Sequence, residues 1–156
     1  MKKLVVLLFV ALSLGACKET TPIDPQPEPA PEKPAATNVI GSYKISSFRF
    51  ANKSVELSLP TLPMVQGGKT VASGTVVLKQ YKTKQVDLLF SLKREGYEDI
   101  DFTLDALDVK AVGKVYGIYL EGDHIADADG SNIIFDMSDY DQRTKERITL
   151  TFVAKK

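Results

Sequence analysis

Tryptophan is absent from this 156-residue chain, and cysteine and histidine each occur once. One cysteine rules out an internal disulfide and any zinc site built from several thiolates. One histidine rules out multi-histidine metal sites and leaves a single imidazole as a possible base. Net charge is also missing, since 20 Lys plus Arg balance 20 Asp plus Glu. Steering towards nucleic acid or another polyanion is therefore not expected. After Cys17 charges interrupt every apolar stretch, and the run before it, Leu4 to Leu14, falls short of the roughly 20 residues that a spanning helix requires. At this length the chain holds one ordinary domain.

The N-terminus reads as an address. Met1-Lys2-Lys3 is a basic start, Leu4–Leu14 an apolar core, and Gly15-Ala16 a small-residue cleavage site directly before Cys17. Leu14-Gly15-Ala16-Cys17 resembles the lipobox of bacterial lipoproteins. That resemblance implies removal of residues 1–16, a diacylglyceryl group on the Cys17 sulfur and an acylated new amine, hence a membrane partner through lipid (several chains hold firmly where one does not). Placement of the sole cysteine at this position fits, because a stray thiol is a liability in an oxidising compartment. An ordinary secreted protein is the alternative. Lys18 stands where Asp tends to retain enterobacterial lipoproteins in the inner membrane, so the expected location is the cell envelope, at the outer membrane.

Residues 17–37 read as a lipidated cysteine followed by a proline-rich linker. Six of the eight prolines lie between Pro22 and Pro34. Fixed φ and missing N–H groups favour extended polyproline II there, and Ile23 alone cannot build a core. A spacer is the plain reading, and a docking motif for a proline-recognising partner is the sharper one.

Residues 38–156 show the period of two that marks strands with one buried face. Val86, Leu88, Phe90 and Leu92 alternate with Asp87, Leu89, Ser91 and Lys93, and Ile100, Phe102 and Leu104 alternate with Asp101, Thr103 and Asp105. About eight antiparallel strands follow: 40–50, 54–59, 71–80, 85–93, 98–109, 115–121, 132–137 and 146–154. Turn residues such as Gly67-Gly68, Glu95-Gly96 and Asp129-Gly130-Ser131-Asn132 make most connections hairpin length, which favours up-and-down order. The longer 60–68 link, apolar in part, suits a lid or a loop folded onto the core. Parity slips at Ser46-Ser47 and at Leu104–Leu107 predict bulges, which help a sheet curl and close. The fold class is all-β, with an up-and-down barrel expected and a β-sandwich as the alternative.

Gly41-Ser42-Tyr43 at the head of the first strand resembles the Gly-x-Trp start of lipocalin and calycin barrels, with Tyr in place of Trp. Ser138-Asp139-Tyr140 resembles their Thr-Asp-Tyr motif, although it precedes the last strand. The closing Arg147–Val153 segment resembles the last strand of lipocalin-like domains in bacterial lipoproteins. The resemblance implies a small hydrophobic ligand inside the barrel, non-enzymatic, with Val86, Leu88, Phe90, Phe102 and Leu104 lining a cavity and Tyr43, Tyr119 and Phe135 adding to it. The plainer reading is that these side chains fill the interior, and no inward-parity Arg or Lys suggests itself as a carboxylate partner. A structural module that meets an envelope protein or glycan is the competing class.

Other chemistry is thinly supported. Asp127-Ala128-Asp129-Gly130 offers carboxylates to calcium, but Gly130 falls at loop position four instead of six and position twelve is Ser138, so an Asp/Asn-capped turn accounts for it. His124 lies beside Asp123 and Asp127 without any Gly-x-Ser-x-Gly elbow. Gly67-Gly68-Lys69-Thr70 lacks the first glycine of a phosphate loop. No cofactor, metal or catalytic residue is expected.

Overall fold

The computed structural model describes residues 33–142 and 145–156. The signal segment, Cys17 and the linker up to residue 32 lie outside the described residues. A short helix α1 (Ala35–Val39) leads into ten strands. These are β1 (Gly41–Ala51), β2 (Glu56–Leu59), β3 (Met64–Gln66), β4 (Lys69–Lys82), β5 (Gln85–Arg94), β6 (Ile100–Val112), β7 (Val115–Leu120), β8 (Asp123–Ala128), β9 (Asn132–Asp141) and β10 (Glu146–Lys155).

Strands β4 to β10 pair antiparallel with their chain neighbours, and β1 closes the circle by pairing with both β10 and β4. The result is a closed eight-stranded up-and-down barrel, as the alternation predicted, and the sandwich alternative falls. β5 shows why: its burial alternates strictly, with Val86, Leu88, Phe90 and Leu92 inside. Among the described residues the fully buried side chains are apolar apart from the Tyr43 hydroxyl, so the core is held chiefly by apolar burial, at about 25 cal/mol per Å².

Both expected bulges are present, and both are anchored. In β1 the register with β10 shifts between Ile45 and Ser47. There the Ser46 hydroxyl donates to the Val153 carbonyl at 3.1 Å, and the Ser46 carbonyl accepts the Leu62 N–H at 2.8 Å. In β6 the register with β5 shifts opposite Val86/Leu88. Ala106 adopts φ 56°, and its N–H donates to the Asp87 carboxylate at 2.9 Å.

Strand bookkeeping differs from expectation in three places. The 54–59 segment forms only the short β2, a hairpin partner of β1 outside the closed ring. The eighth wall strand is instead β8, which the sequence presents as an acidic turn region. It is a strand because Ile125, Ala126 and Ala128 face inward while Asp123, His124 and Asp127 face out. The 60–68 link contributes buried Leu62 and the short β3, which pairs with β4. Helix α1 begins inside the stretch read as linker, at Ala35-Ala36-Thr37. Proline is tolerated where a helix starts, Pro34 supplies the carbonyl for the Thr37 N–H at 3.0 Å, and Ala36 and Val39 are fully buried.

Gly74 on β4 faces inward against the β1 bulge, and a Cβ there would lie 2.7 Å from Ile45 Cδ1. Gly74→Ala is expected to lower the unfolding free energy by about 1–3 kcal/mol through overpacking. Adding Ile45→Val, which removes the clashing methyl, is expected to return part of it in urea titrations. Purely additive losses would refute the contact.

Candidate functional site

The two ends of the barrel are built differently. At one end lie the β4–β5, β6–β7 and β8–β9 turns together with α1. Tyr43 Oη donates to the Val39 carbonyl at 2.5 Å, a Cβ on Gly130 would lie 2.8 Å from the Asn38 carbonyl oxygen, and the Lys156 N–H donates to Ser131 at 2.9 Å. The helix is a plug, and Ala36 and Val39 are its apolar face. The Asp129 carboxylate fastens the adjoining turn by accepting the N–H groups of Ser131 at 2.8 Å and Asn132 at 2.6 Å, plus the Asn132 amide at 2.9 Å. These bonds, the Asn132 side chain first, hold its pKa below the usual carboxylate range.

Above the plug the interior is full. Tyr43, Val86, Leu88, Phe90 and Phe135, all expected to line a cavity, are instead packed core at 2 % exposure or less. An aromatic ladder rises through it. Phe135 stacks on Phe152 at 4.5 Å, Phe152 meets Phe90 at 5.5 Å, and Phe90 stacks on Phe102 at 4.5 Å.

At the other end the ladder runs out and the barrel stays open. Phe48, Phe50, Ile100, Phe102, Leu104, Met137, Ile148 and Leu150, with Thr103, line a chamber of about 400 Å³ with almost no polar surface. Phe102 and Leu104 are thus the two expected lining residues that do line a cavity. The rest of the wall was visible as inward parity, but parity carries no information about depth along the barrel.

The wall is also split here. The first half of β1 pairs with β4, whereas beyond the bulge it pairs with β2. The β2–β3 flap occupies the gap, and between flap and rim runs a groove of about 750 Å³ lined by Val55, Leu57, Leu59, Met64, Arg94 and Tyr97 among others. Phe50 and Ile100 line both spaces, so groove and chamber adjoin at these two side chains.

Tyr119 belongs to neither. It sits on the outer wall with its ring edge-on to His124 at 5.2 Å and the Lys110 ammonium 4.4 Å above it. Its parity is opposite to that of buried Ile118, which is what excludes it from the interior. His124 Nε2 lies 3.0 Å from Asp127 Oδ1, both about half exposed on the same outer face.

Compared with protein-family models, curated proteins and solved structures, the chain matches none. The site is therefore argued on its geometry. A wide, apolar, open-ended chamber with an aromatic floor suits an apolar guest.

One polar residue was missed. Arg94 continues the inward parity of Val86, Leu88, Phe90 and Leu92, and pairs in register with inward Ala72. Ending the strand at Lys93 hid it, although the count of two from Leu92 was there to find.

Burial, with a smaller contribution from Asp129, pushes the Tyr43 hydroxyl from 10.0 up to about 12. The unfolded chain therefore releases this proton first as pH rises. The associated stability is complete below pH ~10 and is lost towards pH ~12, amounting to roughly 2–3 kcal/mol. Tyr43→Phe, which costs about 1 kcal/mol at neutral pH for the lost hydrogen bond, is expected to abolish that alkaline component in denaturant titrations run across the window.

Proposed function

We propose that this chain is a lipid-anchored envelope lipoprotein whose barrel binds a small hydrophobic molecule without transforming it. The observation that carries the binding half is the chamber: about 400 Å³, open to solvent, almost wholly apolar, with the Phe48 and Phe102 rings in its lining and Phe90 packed against both. Open apolar surface inside an otherwise filled barrel is costly to keep in water, and a guest of matching character removes that cost. The anchoring half rests on Leu14-Gly15-Ala16-Cys17 and the proline-rich segment behind it, which would hold the domain off the lipid surface. The outer membrane is the proposed location.

A second reading has its own observation. Val55, Met64, Val65 and Tyr97 stand 41–69 % exposed, and three of them line the groove beside the flap. A protein or glycan of the envelope meeting that rim would make this a structural module.

A neutral fluorophore, N-phenyl-1-naphthylamine, separates the two. Residues 33–156, which close a complete core of their own, are expected to enhance its emission saturably at one site. Phe102→Glu or Leu104→Glu should abolish the enhancement while the thermal transition persists, and Tyr119→Glu on the outer wall should leave it intact. Absence of any saturable signal would turn the search to the rim and its partners. For the anchor, cells expressing the full chain are expected to incorporate labelled palmitate, and Cys17→Ser should abolish labelling and release the protein from the membrane fraction.

A further inference from the structure

We propose that the guest is an amphiphile with a carboxylate head, of the fatty-acid type, and that Arg94 receives the head while the tail enters the chamber. This rests on the chamber being a binding site and adds the ligand's chemical class.

Arg94 is the last inward position of β5, at the rim where groove and chamber meet. Its Nε is buried and has no hydrogen-bond partner among the described residues. The guanidinium carbon lies 4.7 Å from the Tyr97 ring centroid. A stacked guanidinium is held in plane but keeps its N–H donors unused. Donors of this kind, left unsatisfied in a partly dry site, are costly until an anion arrives.

The carboxylates nearby do not fill that role. Three charged residues line the groove: Arg94, Glu56 and Glu95. Glu56 is paired with Arg49 at 3.1 Å, and Glu95 is paired with Lys69. Asp99 shares a neighbouring surface hollow with Arg94 but lies beyond ion-pair distance, and no ion pair among the described residues includes Arg94. With both groove acids paired to other cations, the guanidinium is the one charged group of the groove lining that no ion pair among the described residues engages. A planar carboxylate matches it with two parallel hydrogen bonds.

The path for the tail is set by the same residues. Phe50 and Ile100 border both spaces, so a chain leaving Arg94 would meet these two apolar side chains on its way to the chamber. Everything past the head is hydrocarbon or aromatic, and a second polar group on the ligand would find no partner there except Thr103.

The test displaces N-phenyl-1-naphthylamine from residues 33–156 with submicellar dodecanoate and, separately, dodecan-1-ol. Arg94→Gln is expected to weaken displacement by dodecanoate about tenfold, the loss typical of a charge-assisted hydrogen bond, and to leave dodecan-1-ol within about twofold. Arg94→Lys should fall between. On the unmodified protein, raising salt should weaken dodecanoate but not dodecan-1-ol, because only the former contains an ion pair. That comparison stands even where a variant fails to fold. Saturable dye binding with dodecanoate indifferent to both Arg94→Gln and salt would overturn the carboxylate assignment and leave the apolar site standing. No dye binding at all would overturn both.

Discussion

The bulge at Ser46 is the constraint on which the rest of the molecule depends. One strand must serve two neighbours on the same side, β4 before the bulge and β2 after it. Only a local break in register lets β1 turn from one to the other while keeping β10 on its opposite side. The break puts Tyr43, Ile45, Phe48 and Phe50 all on the inner face, which a regular strand cannot do. The bulge is anchored from two directions: the Ser46 hydroxyl donates to the Val153 carbonyl, and the Ser46 carbonyl accepts the Leu62 N–H. The Leu62 bond also ties the flap to the wall, so the bend that closes the barrel and the bend that opens its mouth are the same feature.

From that follows the asymmetry of the two ends. The plugged end concentrates the precise interactions: α1, the Tyr43 hydroxyl, the Asp129 turn and the C-terminal strand all converge there. The mouth carries exposed apolar surface, notably Val55, Met64, Val65 and Tyr97, and its ties include the exposed ion pairs Arg49–Glu56 and Lys69–Glu95. Regions that must admit a ligand are drawn from the less tightly held parts of a fold. Placing stability at one end and accessibility at the other lets an eight-stranded barrel, whose interior is only just wide enough for side chains, be both a filled core and a receptacle.

Much of the wall was legible in advance. Seven of the eight barrel strands follow from alternation and turn residues, and the bulges at Ser46 and Ala106 follow from parity slips. β7 was among them, but its neighbour β8 was not. Its inward residues are Ile125, Ala126 and Ala128, two of them small, so its alternation is faint and its acids read as a turn. On the adjoining β7, Gly117 leaves room for the Tyr119 ring, which lies 2.9 Å from where a Cβ would sit. For the site, Phe102 and Leu104 were found because parity was right, while Tyr119 was misplaced by assigning it to the interior against its own parity.

Sequence alone determined the period of two, the antiparallel strands and the positions of two bends, because each of these is written in the spacing of neighbouring residues, whereas closure into a barrel instead of a sandwich was settled by the pairing of β1 with both β10 and β4. Tertiary structure decided which inward residues are buried deep and which reach the mouth, that Pro34 begins a helix folded into the end of the barrel, and that Arg94 stands at the rim outside any ion pair among the described residues. These depend on where a strand sits in the stagger of the barrel and on which carboxylates are already engaged across it. Such relations link residues as distant as Lys69 and Glu95, or Arg94 and Phe50, and no local pattern encodes them.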